Sequence, residues 1–306
     1  MGLVLKTSML TKVYDGRAVV NGVNMNIQKG DIYGFIGRNG AGKTTLLRMI
    51  LGLSQPTEGR IELFDNKQGL IESRKKIGSL AEQAAFYPNM TALSNLEICR
   101  IAFGGVGDKN LSLSLLRKFG FSNAVATTKK AGLFSLGLRQ KLAIAIAFIG
   151  FPEFIILDEP INGLDPKATI EVRNLIKDLN KNAGVTFLIS SHLLAELSKL
   201  ANKYGIIEKG RLIDEFSSME LEERIEPTLM IKVDNAIRAA QVIKDIFKTQ
   251  ECKIINEKTV EFVGRNVTSG DINRVLNENG VLVEAISKNQ IDIESYFVKV
   301  VSGSKK

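Results

Sequence analysis

Between an apolar run and an apolar helical stretch the chain reads Gly37-Arg38-Asn39-Gly40-Ala41-Gly42-Lys43-Thr44. The preceding Asp31-Ile32-Tyr33-Gly34-Phe35-Ile36 has β-strand texture, and Thr44-Thr45-Leu46-Leu47-Arg48-Met49-Ile50-Leu51 has the spacing of a buried helix. A glycine-rich loop between a strand and a helix confines the chain to an α/β plan, because the loop must turn tightly and leave backbone amides unpaired by either element. Amides presented in that way wrap phosphate oxygens, and the following helix adds the positive end of its dipole. On this pattern Lys43 reaches the β- and γ-phosphates and the Thr44 hydroxyl takes Mg²⁺, with Thr45 beside it. A glycine-rich turn with no ligand is the plainer alternative, and the flanking strand and helix count against it.

Two further apolar runs, Phe154-Ile155-Ile156-Leu157 and Val185-Thr186-Phe187-Leu188-Ile189, are unbroken by polar alternation. Strands covered on both faces of a parallel sheet have that texture. Between them Asp165-Pro166 supplies an N-cap and first helical residue, and Gly184 a stop, so a crossover helix is expected there. The first of these runs ends in Asp158-Glu159, an arrangement in which one carboxylate can hold Mg²⁺ and the next can polarise water against a phosphoryl group.

Composition excludes several classes. Cys99 and Cys252 are the only cysteines and sit far apart with no metal-ligand spacing, which suits a reducing compartment. A formal net charge of +8 permits anionic partners without choosing among them. The amino-terminal residues lack the charged and apolar regions of a signal peptide. The longest apolar stretch, Leu142 to Pro152, is about half of the ~20 residues needed to cross a bilayer, so any membrane role is expected to come through a partner.

From about Arg211 the texture changes, and the domains expected are 1–215, a linker at 216–227, and a small α+β unit at 228–306. In the last, strands at Leu229–Val233, Cys252–Ile255, Thr259–Val263 and Val281–Ile286 and helices at Ala236–Phe247 and Ser269–Asn277 follow the order of a ferredoxin-like unit. In the first, strands are expected at Leu3–Leu5, Val23–Ile27 and Asp31–Ile36, and a helical subdomain over about 84–150.

Phe134-Ser135-Leu136-Gly137-Leu138-Arg139-Gln140 resembles the signature segment of ATP-binding cassette (ABC) proteins, whose pattern is Leu-Ser-Gly-Gly-Gln. Gly163-Leu164-Asp165-Pro166 is similar to the D-loop of that family, and His192, the one histidine in the chain, falls where the family keeps its switch histidine. Together with the phosphate loop and Asp158-Glu159, the resemblance runs over residues 3 to 215 in motif order. It implies a phosphate-loop domain with a mixed sheet and helical subdomain, binding ATP and Mg²⁺.

The roles that follow belong to the resemblance. Residues 37–45 hold the nucleotide, with Thr44 and Asp158 on the metal. Glu159 acts as base and His192 contacts the γ-phosphate. Tyr14 is similar to the aromatic that stacks on adenine. Ser135, Gly137 and Asp165 complete the site of a second copy in an ATP-dependent homodimer.

Leu136 and Leu138 depart from the signature. The Ser-Leu-Gly variant resembles that of bacitracin-resistance and lantibiotic self-protection exporters. In the segment Ile77 to Pro88, counting from Gly78 puts Glu82 in the slot of the family's glutamine loop, with Gln83 next and held in reserve. Both are candidate catalytic and metal-side residues. The implied activity is ATP hydrolysis that drives a separate transmembrane permease, with the chain peripheral at the cytoplasmic face and exporting a peptide antibiotic or similar toxic compound. Another small-molecule or ion exporter remains an alternative. A soluble cassette acting on ribosomes or nucleic acid is disfavoured by the single phosphate loop, so no nucleic-acid partner is expected.

Overall fold

The computed structural model describes residues 2–66, 69–80, 86–105, 107–224, 228–247, 252–264, 267–288 and 293–303. The chain divides into two units, residues 1–217 with 300–306, and residues 218–299.

The first unit opens with an antiparallel sheet in which β1 (Leu3–Tyr14) pairs with β2 (Arg17–Val23), β3 (Asn26–Gln28) and β5 (Glu58–Leu63). The single strand expected at Val23–Ile27 is broken at Asn24-Met25. The buried Thr7 hydroxyl explains the break: it donates to the Val23 carbonyl and accepts from the Met25 amide, both at 2.9 Å, so the sheet bends without orphaning those groups.

The second sheet contains β4 (Ile32–Ile36), β6 (Ile77–Leu80), β7 (Phe154–Asp158), β8 (Thr186–Ser191), β9 (Lys203–Glu208) and β10 (Arg211–Ser217), in the order β10-β9-β4-β8-β7-β6. It is parallel except for the β9–β10 hairpin. Every residue of β4, β7 and β8 is buried, as their unbroken apolar runs predict. Because β8 lies between β4 and β7, the loops leaving the carboxyl ends of these strands meet at one edge, where open α/β sheets bind ligands.

Helix α1 (Lys43–Leu51) covers this sheet with Leu46, Leu47, Met49 and Ile50, which share a core with Tyr33, Phe35, Phe154 and Ile156. Helix α2 (Leu70–Arg74) precedes β6, and α3 (Ala92–Ala102), α4 (Lys109–Lys118), α5 (Asn123–Thr128) and α6 (Leu136–Phe148) fill the span before β7. Crossover helix α7 (Pro166–Ala183) starts under the Asp165 cap and stops at Gly184, whose φ of +68° needs a glycine-like backbone; α8 (Leu194–Ser198) follows β8. Tyr33 donates to Glu215 at 2.9 Å from a fully buried position, and burial, then the Glu215 charge, holds its hydroxyl well above the usual tyrosine range. Gly205 makes room for that ring, since a Cβ there would sit 2.0 Å from the tyrosine oxygen.

The segment expected as a linker is charged and helix-prone in sequence, and most of its described residues are helical. It holds the end of β10 and a helix, α9 (Ser218–Arg224), because strand pairing with β9 continues to Ser217.

In the second unit β11 (Thr228–Val233), α10 (Ala236–Phe247), β12 (Cys252–Asn256), β13 (Thr259–Val263), α11 (Ser269–Glu278) and β14 (Val283–Lys288) build an antiparallel sheet of order β12-β13-β11-β14. That is the ferredoxin-like order, with the last strand two residues later than its apolar pattern predicts. Ala236, Ala239, Ala240 and Ile243 of α10 join Ile272 and Leu276 of α11 over Leu229, Ile231, Val260 and Phe262. The chain's last described helix, α12 (Ile293–Gly303), buries Ile293, Phe297 and Val301 along one face.

Candidate functional site

The loop after β4 is shaped by its glycines. At Gly37 a Cβ would lie 2.8 Å from the Ile207 carbonyl oxygen, and at Gly42, where φ is +108°, 2.7 Å from that of Val19. Gly42 is the N-cap of α1 and offers no side chain to the free amides of the first turn. Helices α3, α4, α5, α6, α7 and α11 each carry a side-chain cap, whereas α1, like the five-residue helices α2 and α8, does not; at α1 the glycine loop leaves the first-turn amides for an outside acceptor.

Lys43 follows at once, almost fully buried, with Nζ 2.7 Å from the Gly37 carbonyl and 3.5 Å from Glu159 Oε1. Burying an ammonium is costly without partners, and Nζ, held by the Gly37 carbonyl, by that of Arg38 at 3.4 Å and by the Glu159 carboxylate, gains a further charged partner in a phosphate.

Strand β7 brings in the two carboxylates. Asp158 Oδ2 accepts from the Thr44 hydroxyl at 2.9 Å, and Oδ1 accepts from the Ser190 hydroxyl of β8. Glu159 leaves the strand at φ +51°, a conformation uncommon for a non-glycine residue. Its carboxylate lies between Lys43 and His192, whose Nδ1 is 2.9 Å from Oε2. Arg38, Asn39, Gly40, Gly42, Lys43, Thr44, Thr45, Asp158 and Glu159 line a cleft of about 410 Å³ together with Val19 and Asn162. Ala41 is buried behind it and closes the turn with an amide bond to the Arg38 carbonyl.

Among the described residues no three of His, Cys, Asp and Glu are clustered for a metal. The donors at hand, one hydroxyl and one carboxylate beside a phosphate cradle, fit a hard cation that takes few protein ligands and keeps water and phosphate oxygens as the rest, as Mg²⁺ does.

The other residues named from sequence lie elsewhere. Tyr14 does not line this cleft or the neighbouring cavity of about 650 Å³, whose walls include Arg17, Ala18, Val19 and Lys209. Its hydroxyl pairs with Ser54 at 3.2 Å and the Lys12 ammonium stands 4.9 Å from its ring centre. Ser135 caps α6 through the Leu138 amide, and Asp165 caps α7 through that of Ala168. Gly137 is buried where these helices meet. Glu82 and Gln83 fall in 81–85, outside the described residues.

Sequence reasoning missed Asn162 and Ser190. The signal for Ser190 was present as a hydroxyl pair, Ser190-Ser191, ending a strand that is otherwise apolar, where a buried polar group must find a partner.

A parallel sheet edge carrying an uncapped glycine-loop helix, a buried lysine and a paired aspartate and glutamate defines a nucleoside-triphosphate-binding cassette. A family model described as ABC transporter matches residues 20–162. The chain is 38% identical to the bacitracin transport ATP-binding protein BcrA of Bacillus licheniformis over 99% of both chains. It is 41% identical to the lantibiotic transport ATP-binding protein SrtF of Streptococcus pyogenes over 69% of this chain and 89% of that one. A solved structure, the post-hydrolysis dimer of the ATP-binding cassette MJ0796 bound to ADP and Pi, superposes with a TM-score of 0.63 at 27% identity over 70% of this chain and 98% of that one. The chain belongs to the ATP-binding proteins of the ABC transporter family, and it is an ATP-hydrolysing enzyme. No helix among the described residues is long and apolar enough to cross a membrane.

Proposed function

We propose that the chain powers a separate transmembrane permease that exports a peptide antibiotic or a similar toxic compound. The observation that carries this reading is the extent of the likeness: BcrA of Bacillus licheniformis matches over 99% of each chain, so the second unit is shared as well as the cassette. SrtF, named for lantibiotic transport, supports the same cargo class over the cassette. The chain sits on the cytoplasmic face of the membrane through its permease, with no nucleic-acid partner.

In this reading the amides of residues 37–42 and the Lys43 ammonium hold the ATP phosphates, Thr45 closes the cradle, and Tyr14, exposed outside the two cavities, is the aromatic on which the base stacks. Thr44 and Asp158 hold Mg²⁺, which when bound neutralises phosphate charge. Glu159 takes the proton of the attacking water, with its carboxylate held 2.9 Å from His192 and 3.5 Å from Lys43. Those contacts fix the base before substrate arrives, and preorganised charge of this kind is a large share of catalysis in phosphoryl transfer. Ser135, Gly137 and Asp165 act on the nucleotide of a second copy. Glu82 takes the glutamine-loop position, with Gln83 the alternative.

The test is a chromosomal deletion in the host, complemented with the wild-type gene or Glu159→Gln and challenged with bacitracin and with a lantibiotic. Sensitivity that the wild type reverses and Glu159→Gln does not is the expected result. Unchanged sensitivity to both, with a transmembrane subunit still co-purifying in mild detergent, would refute the cargo and leave the ATPase.

A further inference from the structure

We infer that Ser190 is a positioning residue of the hydrolytic site, holding Asp158 and Glu159 in register with each other through one hydroxyl. The inference rests on the reading of Asp158 as the metal-side carboxylate. Ser190 is the penultimate residue of β8, fully buried, and β8 pairs with β7 so that Ser190 stands opposite Asp158. Its hydroxyl has one proton to give and gives it to Asp158 Oδ1. The same oxygen accepts the Glu159 amide at 3.1 Å, and the Ser190 carbonyl accepts that amide as well, also at 3.1 Å.

Two consequences follow from that geometry. The first concerns Asp158, which is buried and whose two oxygens each hold a hydroxyl, Thr44 on one and Ser190 on the other. The carboxylate plane is therefore set by groups on both sides of it. Without the serine hydroxyl, Oδ1 loses its partner and the carboxylate can rotate about its bond to Cβ, so the oxygen toward Thr44 is no longer held for a cation. Groups that orient a ligand in this way typically contribute 10–100-fold to metal affinity or activity.

The second concerns Glu159, whose left-handed backbone at φ +51° persists only where neighbours over-determine it. The forked bond from its amide to Ser190 is such a restraint, and His192, two places along and just past the end of β8, holds its carboxylate. Residues 190 and 192 thus fix Glu159 at both its backbone and its carboxylate.

Ser191 makes a matched control. It is equally buried on the same strand, but its hydroxyl accepts the Leu193 amide at 2.9 Å and bonds neither carboxylate.

The experiment measures AMP-PNP affinity by calorimetry on the full chain, once with Mg²⁺ and once with EDTA. The dissociation constant in EDTA divided by that in Mg²⁺ reports how strongly the metal site couples to the nucleotide. In Ser190→Ala the affinity in EDTA is expected to stay within twofold of wild type, because the phosphate loop is untouched. The EDTA-to-Mg²⁺ ratio is expected to fall by about tenfold or more, and steady-state kcat by a similar factor. Ser191→Ala should leave the ratio where it is. A ratio unchanged in Ser190→Ala, or a loss of affinity in EDTA as large as that in Mg²⁺, would overturn the inference, the latter by showing a merely structural hydroxyl. A wild-type ratio near one, or one that Asp158→Asn does not lower, would instead overturn the reading of Asp158 on which it rests.

Discussion

The junction of α6 and α7 sets a sharp steric condition. A Cβ on Gly137 would lie 2.6 Å from Cβ of Ala168, where ordinary contact begins near 3.4 Å, so Gly137→Ala forces the helices apart by most of an ångström. They are not free to part: Lys141 of α6 is 2.5 Å from Glu171 of α7, and Leu136 rests against Gly163 just before α7. Overpacking of this size costs about 1–3 kcal/mol. Replacing glycine within a helix returns up to about 1 kcal/mol of propensity, so a net loss of roughly 1–2 kcal/mol is expected. In a unit of this size that lowers Tm by about 2–8 °C.

The assay is differential scanning calorimetry of nucleotide-free protein, repeated on Ala168→Gly and on the double variant. Ala168→Gly alone should destabilise by about 1 kcal/mol from lost helix propensity. Combined with Gly137→Ala it removes the clash, so the double variant should be more stable than the sum of the singles by about 1–3 kcal/mol. Strict additivity would refute the steric argument. The same substitution tilts Ser135 at the end of α6, and ATPase activity should fall in Gly137→Ala and recover in the double variant.

With Glu159 as the proposed base, Glu159→Gln leaves the phosphate cradle intact, so MgATP binding should persist, turnover should be suppressed and an ATP-dependent dimer should accumulate on size-exclusion chromatography; unaltered hydrolysis would take Glu159 out of that role. His192→Ala frees the Glu159 carboxylate from its 2.9 Å partner and is expected to lower kcat at least tenfold, the low end for a lost preorganised contact, in a phosphate-release assay. Hydrogen bonds from Arg100 hold Glu97 below its ordinary 4.5, outweighing its burial, and Ser112 adds to them. Because the folded state favours the ionised form, that stabilisation is complete above pH 4.5 and is lost as pH falls through the lowered value; the stability gap between wild type and Glu97→Gln, read by urea titration, should be flat from pH 7 to 5 and close below it. If Glu82 fills the glutamine-loop position, Glu82→Gln should raise hydrolysis while abolishing protection of the host, and Gln83→Ala should do neither.

What the sequence made legible divides along physical lines. The phosphate loop and Asp158-Glu159 were readable because each occupies the end of an unbroken apolar strand, and strands of that kind must lie side by side in a parallel sheet; His192 was named through the family resemblance. Capping by Asp165 and the stop at Gly184 were readable because the rules that govern them are local. The break between β2 and β3 was not, since it depends on Thr7, a residue distant in sequence whose hydroxyl substitutes for the missing ladder bonds. The last residues of β10, inside the expected linker, were hidden because only pairing with β9 carries the strand to Ser217, whereas the helix after them was legible in the charged, helix-prone run Ser217 to Arg224. Ser190 escaped because a serine in a strand carries no motif; only the register that sets it opposite Asp158 gives it a partner.

The strand order also governs when the site can exist during synthesis. Central β4 is paired on one side by β8 and on the other by β9, so its neighbours are made some 150 residues after it. Until they emerge, β4 presents two unpaired edges and an apolar surface, the features that expose a nascent chain to aggregation. The phosphate loop leaves the ribosome early, but its aspartate and histidine arrive only with residues 158 and 192. ATP therefore cannot stabilise the early nascent chain through the assembled site, and the interval between β4 and β8 is when the protein depends most on chaperones rather than on its own ligand.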